Sequence, residues 1–323
     1  MLAAVAVSQS FDSPLSGLHV GDHPDPIARP GWTVVRLRTA ALNHHDLWSL
    51  RGIGLGADEL PRVLGCDGAG VTAEGREVVL HAVVGDPVTG EESLAASMSI
   101  LSERYDGTLA ELVAVPTRNL VDKPASLSWA EAACLPTAWL TAYRMLFVRG
   151  GVRPGHRVLI QGAGGGVATA CLLLARAAGA VVYVTSRDDA KLARATELGA
   201  HVAVRTGERL PTRVDAVMET VGQATWDHSL KSLEPDGVVV VAGATSGPAP
   251  SADLARVFFR QLRVVGSTMG SRRELEDLIR FLDATGVRPL VDSVRPLADV
   301  ASAFEQMAQG EVFGKLVVEM SGG

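Results

Sequence analysis

The most distinctive local pattern in the sequence is a glycine-rich run at residues 158–168, VLIQGAGGGVA. Apolar residues precede the glycines and a helical pattern follows them, so the run joins a strand to a helix. Glycines at such a turn let the backbone approach a pyrophosphate, and the free N–H groups at the start of the helix favour an anion. A plain turn also favours glycine, but this order of elements predicts dinucleotide binding. The predicted contacts are Gly162, Ala163, Gly164, Gly165, Gly166 and Val167.

The residues after the next predicted strand indicate which dinucleotide is bound. A site for NAD normally has Asp or Glu about 20 residues beyond the glycines, where the carboxylate binds the ribose hydroxyls. This chain has Ser186 and Arg187 there, with Lys191 shortly after. A hydroxyl and two cations suit a 2′-phosphate, so the pattern predicts NADP(H) as the cofactor. The alternative is that the two cations are solvated residues paired with Asp188 and Asp189.

The composition of the 323-residue chain favours small-molecule chemistry. A content of 47% hydrophobic and 20% charged residues is typical of a globular protein with material for two domains. The formal net charge of −6 argues against a nucleic-acid partner, which would require a basic surface. Because the sequence has no apolar run long enough for a bilayer and no signal-peptide pattern, we expect a cytoplasmic protein without a membrane partner.

The cysteines restrict the metal sites that the chain can form. Cys66, Cys134 and Cys171 are far apart in sequence and make no Cys-x-x-Cys pair. Such sparse usage is typical of a reducing compartment, and three thiols are too few for a four-cysteine structural zinc site.

The order of predicted elements divides the chain into three segments. Short β-rich runs separated by Gly and Pro predict an antiparallel domain over residues 1–123. Residues 124–267 begin with a predicted helix at 128–147 and then alternate strands with helices, which predicts an α/β fold with a doubly wound, parallel Rossmann sheet. Residues 268–323 follow the end of that sheet, so we expect this segment to return to the first domain.

Several motifs follow the order found in the medium-chain dehydrogenase/reductase superfamily, which the chain resembles over nearly its whole length. The motifs are residues 43–52 (NHHDLWSLRG), 64–70 (LGCDGAG), 106–111 (DGTLAE), the glycine run, 197–200 (ELGA) and 313–315 (FGK). Within the superfamily the chain resembles the zinc-independent quinone oxidoreductase branch. The resemblance implies a GroES-like catalytic domain beside the Rossmann domain, and usually a homodimer.

Differences from the zinc alcohol dehydrogenases of this superfamily predict that the family's metal site is absent. Those enzymes have a cysteine where this chain has Asn43, a His-Glu pair where it has Cys66 and Asp67, and a cysteine-rich lobe, whereas residues 85–105 contain no cysteine. We therefore expect no metal. The alternative is a different site built from some of Cys66, Asp67, His44, His45 and His81.

The resemblance implies a reductase that transfers hydride from NADPH to a quinone or an α,β-unsaturated carbonyl. The residues expected at the substrate are Asn43, His44, Trp48, Asp67 and Thr141. Further expected cofactor contacts are Thr220, Gly243 and Lys315. Without zinc, a hydrogen-bond donor such as Asn43, His44 or His45, or a hydroxyl of the cofactor, must polarise the carbonyl group.

Other interpretations of the same residues stay open. Trp48 also fits a core aromatic, the two histidines fit structural roles, and Asp46 fits a helix cap or a partner of Arg51. Two other functions fit the sequence: an alcohol or aldehyde dehydrogenase with a rebuilt metal site, and an NADPH-binding sensor with little turnover. For assembly, the strand at residues 262–266 predicts edge pairing in a dimer, unless nearby side chains of the same chain cover it.

Overall fold

A computed structural model describes residues 1–86 and 91–320. By its internal contacts the chain forms two compact units: Met1–Ala138 together with Met269–Gly323, and Trp139–Thr268. Each unit has its own sheet structure and its own core.

The first unit begins with a series of short strands and two helices. These elements are β1 (Leu2–Ala6), β2 (Leu18–Asp22), β3 (Trp32–Ala41), α1 (His44–Leu50), β4 (Arg62–Val63), β5 (Asp67–Thr72), β6 (Glu77–Leu80), β7 (Val83–Val84), β8 (Ser99–Ile100), β9 (Leu112–Pro116), β10 (Leu120–Asp122) and α2 (Trp129–Ala133).

The second unit alternates strands and helices. Its elements are α3 (Leu140–Tyr143), β11 (Arg157–Ile160), α4 (Gly166–Ala177), β12 (Val181–Ser186), α5 (Asp189–Glu197), β13 (Val202–Arg205), β14 (Val214–Glu219), α6 (Trp226–Ser232), β15 (Leu233–Val241), α7 (Leu254–Phe259) and β16 (Arg263–Gly266).

The last segment of the chain belongs to the first unit. It contains α8 (Arg272–Thr285), β17 (Val291–Pro296), α9 (Val300–Gln309) and β18 (Lys315–Glu319). β18 pairs antiparallel with β3, with Val317 opposite Ala41, and in parallel with β17. The tail thus extends the β10-β6-β5-β3-β18-β17 sheet, where β9 also pairs with β3, while β1 pairs with β2 and β4 in a second sheet.

The core of the first unit is formed by aliphatic side chains of the strands and of helices α1 and α9. Leu37, Leu50, Leu64, Leu80 and Phe304 are all fully buried members of this cluster. Because residues from the tail pack in the same cluster as residues before position 120, the first unit needs both chain segments to close its core.

The second unit is a parallel sheet in the order β13-β12-β11-β14-β15-β16. The order reverses at β11, because β12 lies on one side of it and β14 on the other. In open α/β sheets, ligands bind beyond the carboxyl ends of the strands at such a reversal, and the glycine run follows β11 directly.

The region around residues 124–149 differs from the sequence prediction. The predicted helix over 128–147 is interrupted: α2 ends at Ala133, and π-helical turns at Leu135–Trp139 and Arg144–Arg149 flank α3. Pro136 has no N–H to donate to the preceding turn, which is a physical reason for the break. α2 packs in the first unit, where the Thr39 hydroxyl donates to the Trp129 carbonyl, so the structural division falls after residue 138 rather than after 123.

Candidate functional site

The glycine run forms the turn between β11 and α4. Gly162 and Gly164 have φ of +81° and +98°, a backbone conformation that favours glycine. A Cβ at Gly165 would meet no atom within 4 Å, so there is open space at the start of α4. No side chain caps this helix, which leaves its first N–H groups free for an anion. These residues fit the pyrophosphate of a dinucleotide.

Arg187 follows the end of β12, and the two acidic residues next to it, Asp188 and Asp189, interact with other groups. The Asp188 carboxylate accepts hydrogen bonds from the N–H groups of Ala190 and Lys191, and Asp189 pairs with Arg205. Arg187 is exposed and makes no hydrogen bond or ion pair within the described part of the chain. The alternative pairing of Arg187 with these two aspartates is therefore not what the structure shows.

The sequence interpretation missed Arg205, which is a further cation near the end of β12 in addition to Arg187 and Lys191. In the parallel pairing of β12 with β13, Arg205 lies opposite Ser186. The strand Val202–Arg205 was not predicted, and recognising it would have placed its last residue beside the end of β12. The Ser186 hydroxyl accepts from the Asp188 N–H at 3.1 Å.

The other two predicted contacts in the second unit follow the next strands of the sheet. Thr220 follows β14 and Gly243 follows β15. A Cβ at Gly243 would lie only 3.1 Å from the Thr220 carbonyl oxygen, so the two loops approach closely and glycine relieves the contact. Both loops therefore lie at the same carboxyl edge of the sheet as the glycine run.

In the first unit, Asp46 fixes the start of α1. One of its carboxylate oxygens accepts from the Asn43 N–H at 2.8 Å and the other accepts from the Gly65 N–H at 3.0 Å. Burial is the main cause that raises the pKa of Asp46 to about 6. The predicted helix-cap role is confirmed, and Asp46 joins α1 to the turn that precedes Cys66.

Lys315 lies buried in a hydrogen-bond network of the first unit. Its Nζ lies 2.7 Å from the Leu42 carbonyl oxygen, 2.7 Å from Asn43 Oδ1 and 2.9 Å from Asp67 Oδ2. The Asn43 Nδ2 also donates to Asp67 Oδ2 at 2.9 Å. Because an ammonium group has three protons to donate, these acceptors use all of them, and Lys315 holds Asn43 and Asp67 together. The expected contact of Lys315 with the cofactor stays a prediction.

The two adjacent histidines have different surroundings. His44 is exposed and makes no hydrogen bond within the described residues. Desolvation, followed by the charges of Lys315 and Arg51, lowers the pKa of His44, which keeps its ring neutral at pH 7. A neutral imidazole still has one N–H to donate, so His44 is a free hydrogen-bond donor beside Asn43.

His45 lies between a thiol and a carboxylate. Its Nδ1 is 3.4 Å from Cys66 Sγ, and its Nε2 is 3.1 Å from Glu103 Oε1. Burial alone would lower the pKa of His45, but its interactions with Cys66 and Glu103 outweigh that effect and raise it. Glu103 was missed in the sequence because it belongs to an irregular turn with no motif.

Two predicted substrate residues lie outside these networks. Trp48 is half-buried on α1. Thr141 belongs to α3 of the second unit and is buried. The structure thus brings together Asn43 and Asp67, places His44 next to them in sequence, and leaves the roles of Trp48 and Thr141 as predictions.

The position of Lys315 also tests whether zinc fits at Asn43 and Asp67. An ammonium group already contacts the oxygens of both side chains, and an amide is a weak zinc ligand compared with a thiolate or imidazole. These residues therefore do not fit a dication. His81 does not add a ligand there, because its Nε2 is 2.9 Å from the Gly270 carbonyl oxygen. A separate group of ligand types, His45, Asp46 and Cys66, has its ligand atoms within 4.8 Å of one another.

Comparison with known families covers both parts of the chain. The alcohol dehydrogenase GroES-like domain matches residues 29–125, and the zinc-binding dehydrogenase domain matches residues 166–284. A zinc-type alcohol dehydrogenase-like protein of Schizosaccharomyces pombe is 32% identical over 317 residues, which cover 90% of this chain and 91% of the relative. The chain belongs to the medium-chain dehydrogenase/reductase superfamily.

Two further relatives show the range of the superfamily. The acryloyl-coenzyme A reductase of Sulfurisphaera tokodaii is 26% identical over 326 residues, covering 95% of this chain and 97% of the relative. The crystal structure of an NAD-dependent alcohol dehydrogenase is 35% identical, with a TM-score of 0.91 and 99% of both chains covered. The chain is thus an α/β oxidoreductase with a GroES-like domain and a Rossmann domain, and its cofactor is a nicotinamide dinucleotide. Among the described residues, no helix combines the length and apolar character required to cross a membrane.

Proposed function

We propose that this protein is an NADPH-dependent reductase that transfers hydride, without zinc, to a conjugated carbonyl compound or a quinone. The observation that carries the proposal is Arg187, an exposed cation without a partner in the described chain, next to the Ser186 hydroxyl at the ribose end of the dinucleotide site. Such a pair suits the 2′-phosphate that distinguishes NADPH from NADH. The acryloyl-coenzyme A reductase relative supports the conjugated carbonyl as substrate class.

Asn43 and His44 of the first unit have different proposed roles in substrate binding. Lys315 donates to the side-chain oxygen of Asn43, and the Asn43 amide donates one N–H to Asp67. Asn43 is therefore held in place rather than free to bind substrate. His44 has a neutral ring without a partner, and we assign it the hydrogen bond to the carbonyl oxygen of the substrate. NADPH, when bound, supplies the hydride. The developing enolate or quinol oxygen is stabilised by the His44 N–H, and water provides the proton that completes the product.

A substrate panel tests this function directly. We expect NADPH to be oxidised by enones, conjugated thioesters or quinones, and not by saturated aldehydes. Mass spectrometry should show a product with two added hydrogens, which saturate the carbon–carbon double bond of a conjugated carbonyl compound or convert a quinone to its quinol. His44→Ala should lower kcat about tenfold or more, since it removes the donor to the oxyanion. The exposed His19, mutated to Ala, is the matched control. Turnover of alcohols with NAD⁺, and none of conjugated carbonyls, would contradict the proposal.

A second candidate is an alcohol or aldehyde dehydrogenase with a rebuilt metal site, favoured by the convergence of His45, Asp46 and Cys66. Metal analysis of the purified protein separates the two candidates. The reductase proposal expects no stoichiometric zinc and full activity in chelator, whereas near-equimolar zinc that is lost together with activity in Cys66→Ser supports the dehydrogenase. Cys134→Ser is the control, because Cys134 is a buried thiol of the same unit outside this group.

We also propose a homodimer that forms through the edge strand β16. In the described chain β16 pairs only with β15, and Val264 on it is exposed. Phe258 and Phe259, at the end of the preceding helix α7, are 64% and 80% exposed, so they do not bury themselves over this edge. A second copy paired along β16 would give hydrogen-bond partners to the free backbone groups of β16 in both copies.

A further inference from the structure

A buried chain of hydrogen bonds starts at the first glycine of the dinucleotide loop. The Gly162 N–H donates to Thr185 Oγ1 at 3.1 Å, and the Thr185 hydroxyl donates to Gln161 Oε1 at 2.7 Å. Thr185 lies near the end of β12, two residues before Arg187. This half of the chain therefore joins the glycine loop to the strand end where the ribose is expected.

The amide nitrogen of Gln161 continues the chain toward β14, on the other side of β11 from β12. Gln161 Nε2 donates to Ser229 Oγ at 2.9 Å, and the Ser229 hydroxyl donates to Glu219 Oε2 at 2.6 Å. Gln161 Nε2 also lies 2.9 Å from His228 Nδ1. Glu219 ends β14, and both Ser229 and His228 belong to α6.

Glu219 in turn holds the loop after its own strand. Its Oε1 accepts from the N–H groups of Val221 and Gly222 at 2.8 and 3.0 Å. The Val221 side chain lies 3.4 Å from the position that a Cβ would take at Gly162. The loop after β14 thus packs against the glycine loop from which the hydrogen-bond chain starts.

All four polar side chains along this path are buried and paired. Gln161 is 1% exposed, and Thr185, Ser229 and Glu219 are fully buried. In a buried network, removal of one member leaves its neighbours without a partner and costs more than a surface hydrogen bond. The arrangement is therefore stiff, and it connects the ends of three adjacent strands, β12, β11 and β14.

We propose that Gln161 is a positioning residue that couples the three strand-end loops of the dinucleotide site into one preorganised unit. Gln161 itself does not touch the cofactor in this proposal; it acts through the Gly162 N–H on one side and through Glu219 on the other. The inference rests on the proposed binding of a nicotinamide dinucleotide. The inference extends the proposed function because it separates two properties of the site. Gln161 and its partners set the affinity for both dinucleotides, whereas Ser186 and Arg187 select the 2′-phosphate of NADPH.

Binding titrations without substrate test the coupling. Thr185→Val removes the hydroxyl with little change in shape, and Ser229→Ala removes the other branch. Each should weaken NADPH and NADH roughly five- to tenfold and by the same factor, since either change removes a hydroxyl that makes two buried hydrogen bonds in the path. Thr185→Ser keeps the hydroxyl and should restore parental affinity. In the double variant the loss of binding free energy should be smaller than the sum of the two single losses, because the first substitution already releases Gln161.

Tyr183→Phe is the matched control for Thr185→Val. Tyr183 lies on the same strand and its hydroxyl is 2.8 Å from Thr212 Oγ1, outside the path through Gln161. This control should bind both dinucleotides like the parent even if its melting temperature falls. Unchanged affinity in Thr185→Val, or strictly additive losses in the double variant, would overturn the coupling while NADPH binding by the parent still stands. If the parent binds neither dinucleotide, both the coupling and the proposed function are wrong.

Discussion

Lys315 and Asp67 form a buried ion pair between the last strand of the chain and the middle of its first sheet. The Nζ–Oδ2 distance is 2.9 Å, and the side chains are 3% and 0% exposed. The second oxygen of Asp67 has no hydrogen-bond partner in the described chain. Asp67 therefore depends on Lys315 and on the Asn43 amide for compensation of its buried charge.

Removal of the lysine charge should strongly destabilise the protein. In Lys315→Met the Asp67 carboxylate stays buried without its cation, and we expect a loss of about 3–5 kcal/mol in the free energy of unfolding, measured in urea. The double variant Lys315→Met/Asp67→Asn should recover a large part of this loss because no uncompensated charge remains. A single variant as stable as the parent would show that Asp67 is not charged in the folded state.

Arg187→Ala should change cofactor preference rather than dinucleotide binding as a whole. Loss of a charge-assisted hydrogen bond to the 2′-phosphate should weaken NADPH about tenfold or more and leave NADH unaffected. The measurement is a pair of fluorescence titrations of parent and variant. Arg209→Ala, which removes an exposed cation elsewhere in the second unit, serves as control. Equal parental affinity for NADPH and NADH would reject the assignment of NADP(H).

The contact between His45 and Glu103 should make stability depend on pH. The pKa of His45 is raised above 6.5, so its contribution is fully present below pH 6.5 and is lost as pH rises through the raised value. Burial opposes ionisation of Glu103, but its hydrogen bonds to His45 and to the Ile100 N–H lower its pKa below 4.5, so its contribution is lost only in stronger acid.

Thermal melts across pH measure this contact. Between about pH 5 and 6.5 the parent should melt a few degrees above Glu103→Gln, which corresponds to about 1 kcal/mol for a partly exposed pair. The difference should shrink at alkaline pH, where His45 loses its charge. A difference that stays constant from acid to alkaline pH would mean that His45 carries no charge in this contact.

Sedimentation at low micromolar concentration tests the edge pairing of β16. The parent should sediment as a dimer, and Val264→Lys should shift it toward the monomer, because a charge on the paired edge opposes association. NADPH binding should be preserved in the variant, since Val264 lies outside the glycine loop and the end of β12. A parent that is monomeric while it binds NADPH fully would reject the dimer.

Elements with strong local signals were predictable from sequence. Helix α8 (Arg272–Thr285) has signals for both of its ends in the sequence, because Ser271 and Glu274 form a capping box at its start and Gly286 ends it in a left-handed conformation. The glycine run likewise contains its own strand, turn and helix start. In both cases the deciding interactions lie within a few residues of one another.

The side-chain networks were not predictable in the same way. The acceptors of Lys315 at Asn43 and Asp67 are 272 and 248 positions away in sequence. The path from Gly162 to Glu219 similarly joins separate strands and a helix. No local pattern records such partners, and the resemblance to a family describes a motif without its hydrogen bonds.

The three cysteines give the folded chain a built-in set of kinetic reporters. Cys66, Cys134 and Cys171 are free and fully buried, and burial raises the pKa of Cys134 to about 12. A thiol reagent can therefore modify each cysteine only in molecules where the surrounding structure has opened. Cys66 and Cys134 belong to the first unit and Cys171 to the second. Timed alkylation followed by peptide mass spectrometry would thus show, without any engineered label, which of the two domains opens first and how closely the two openings are linked.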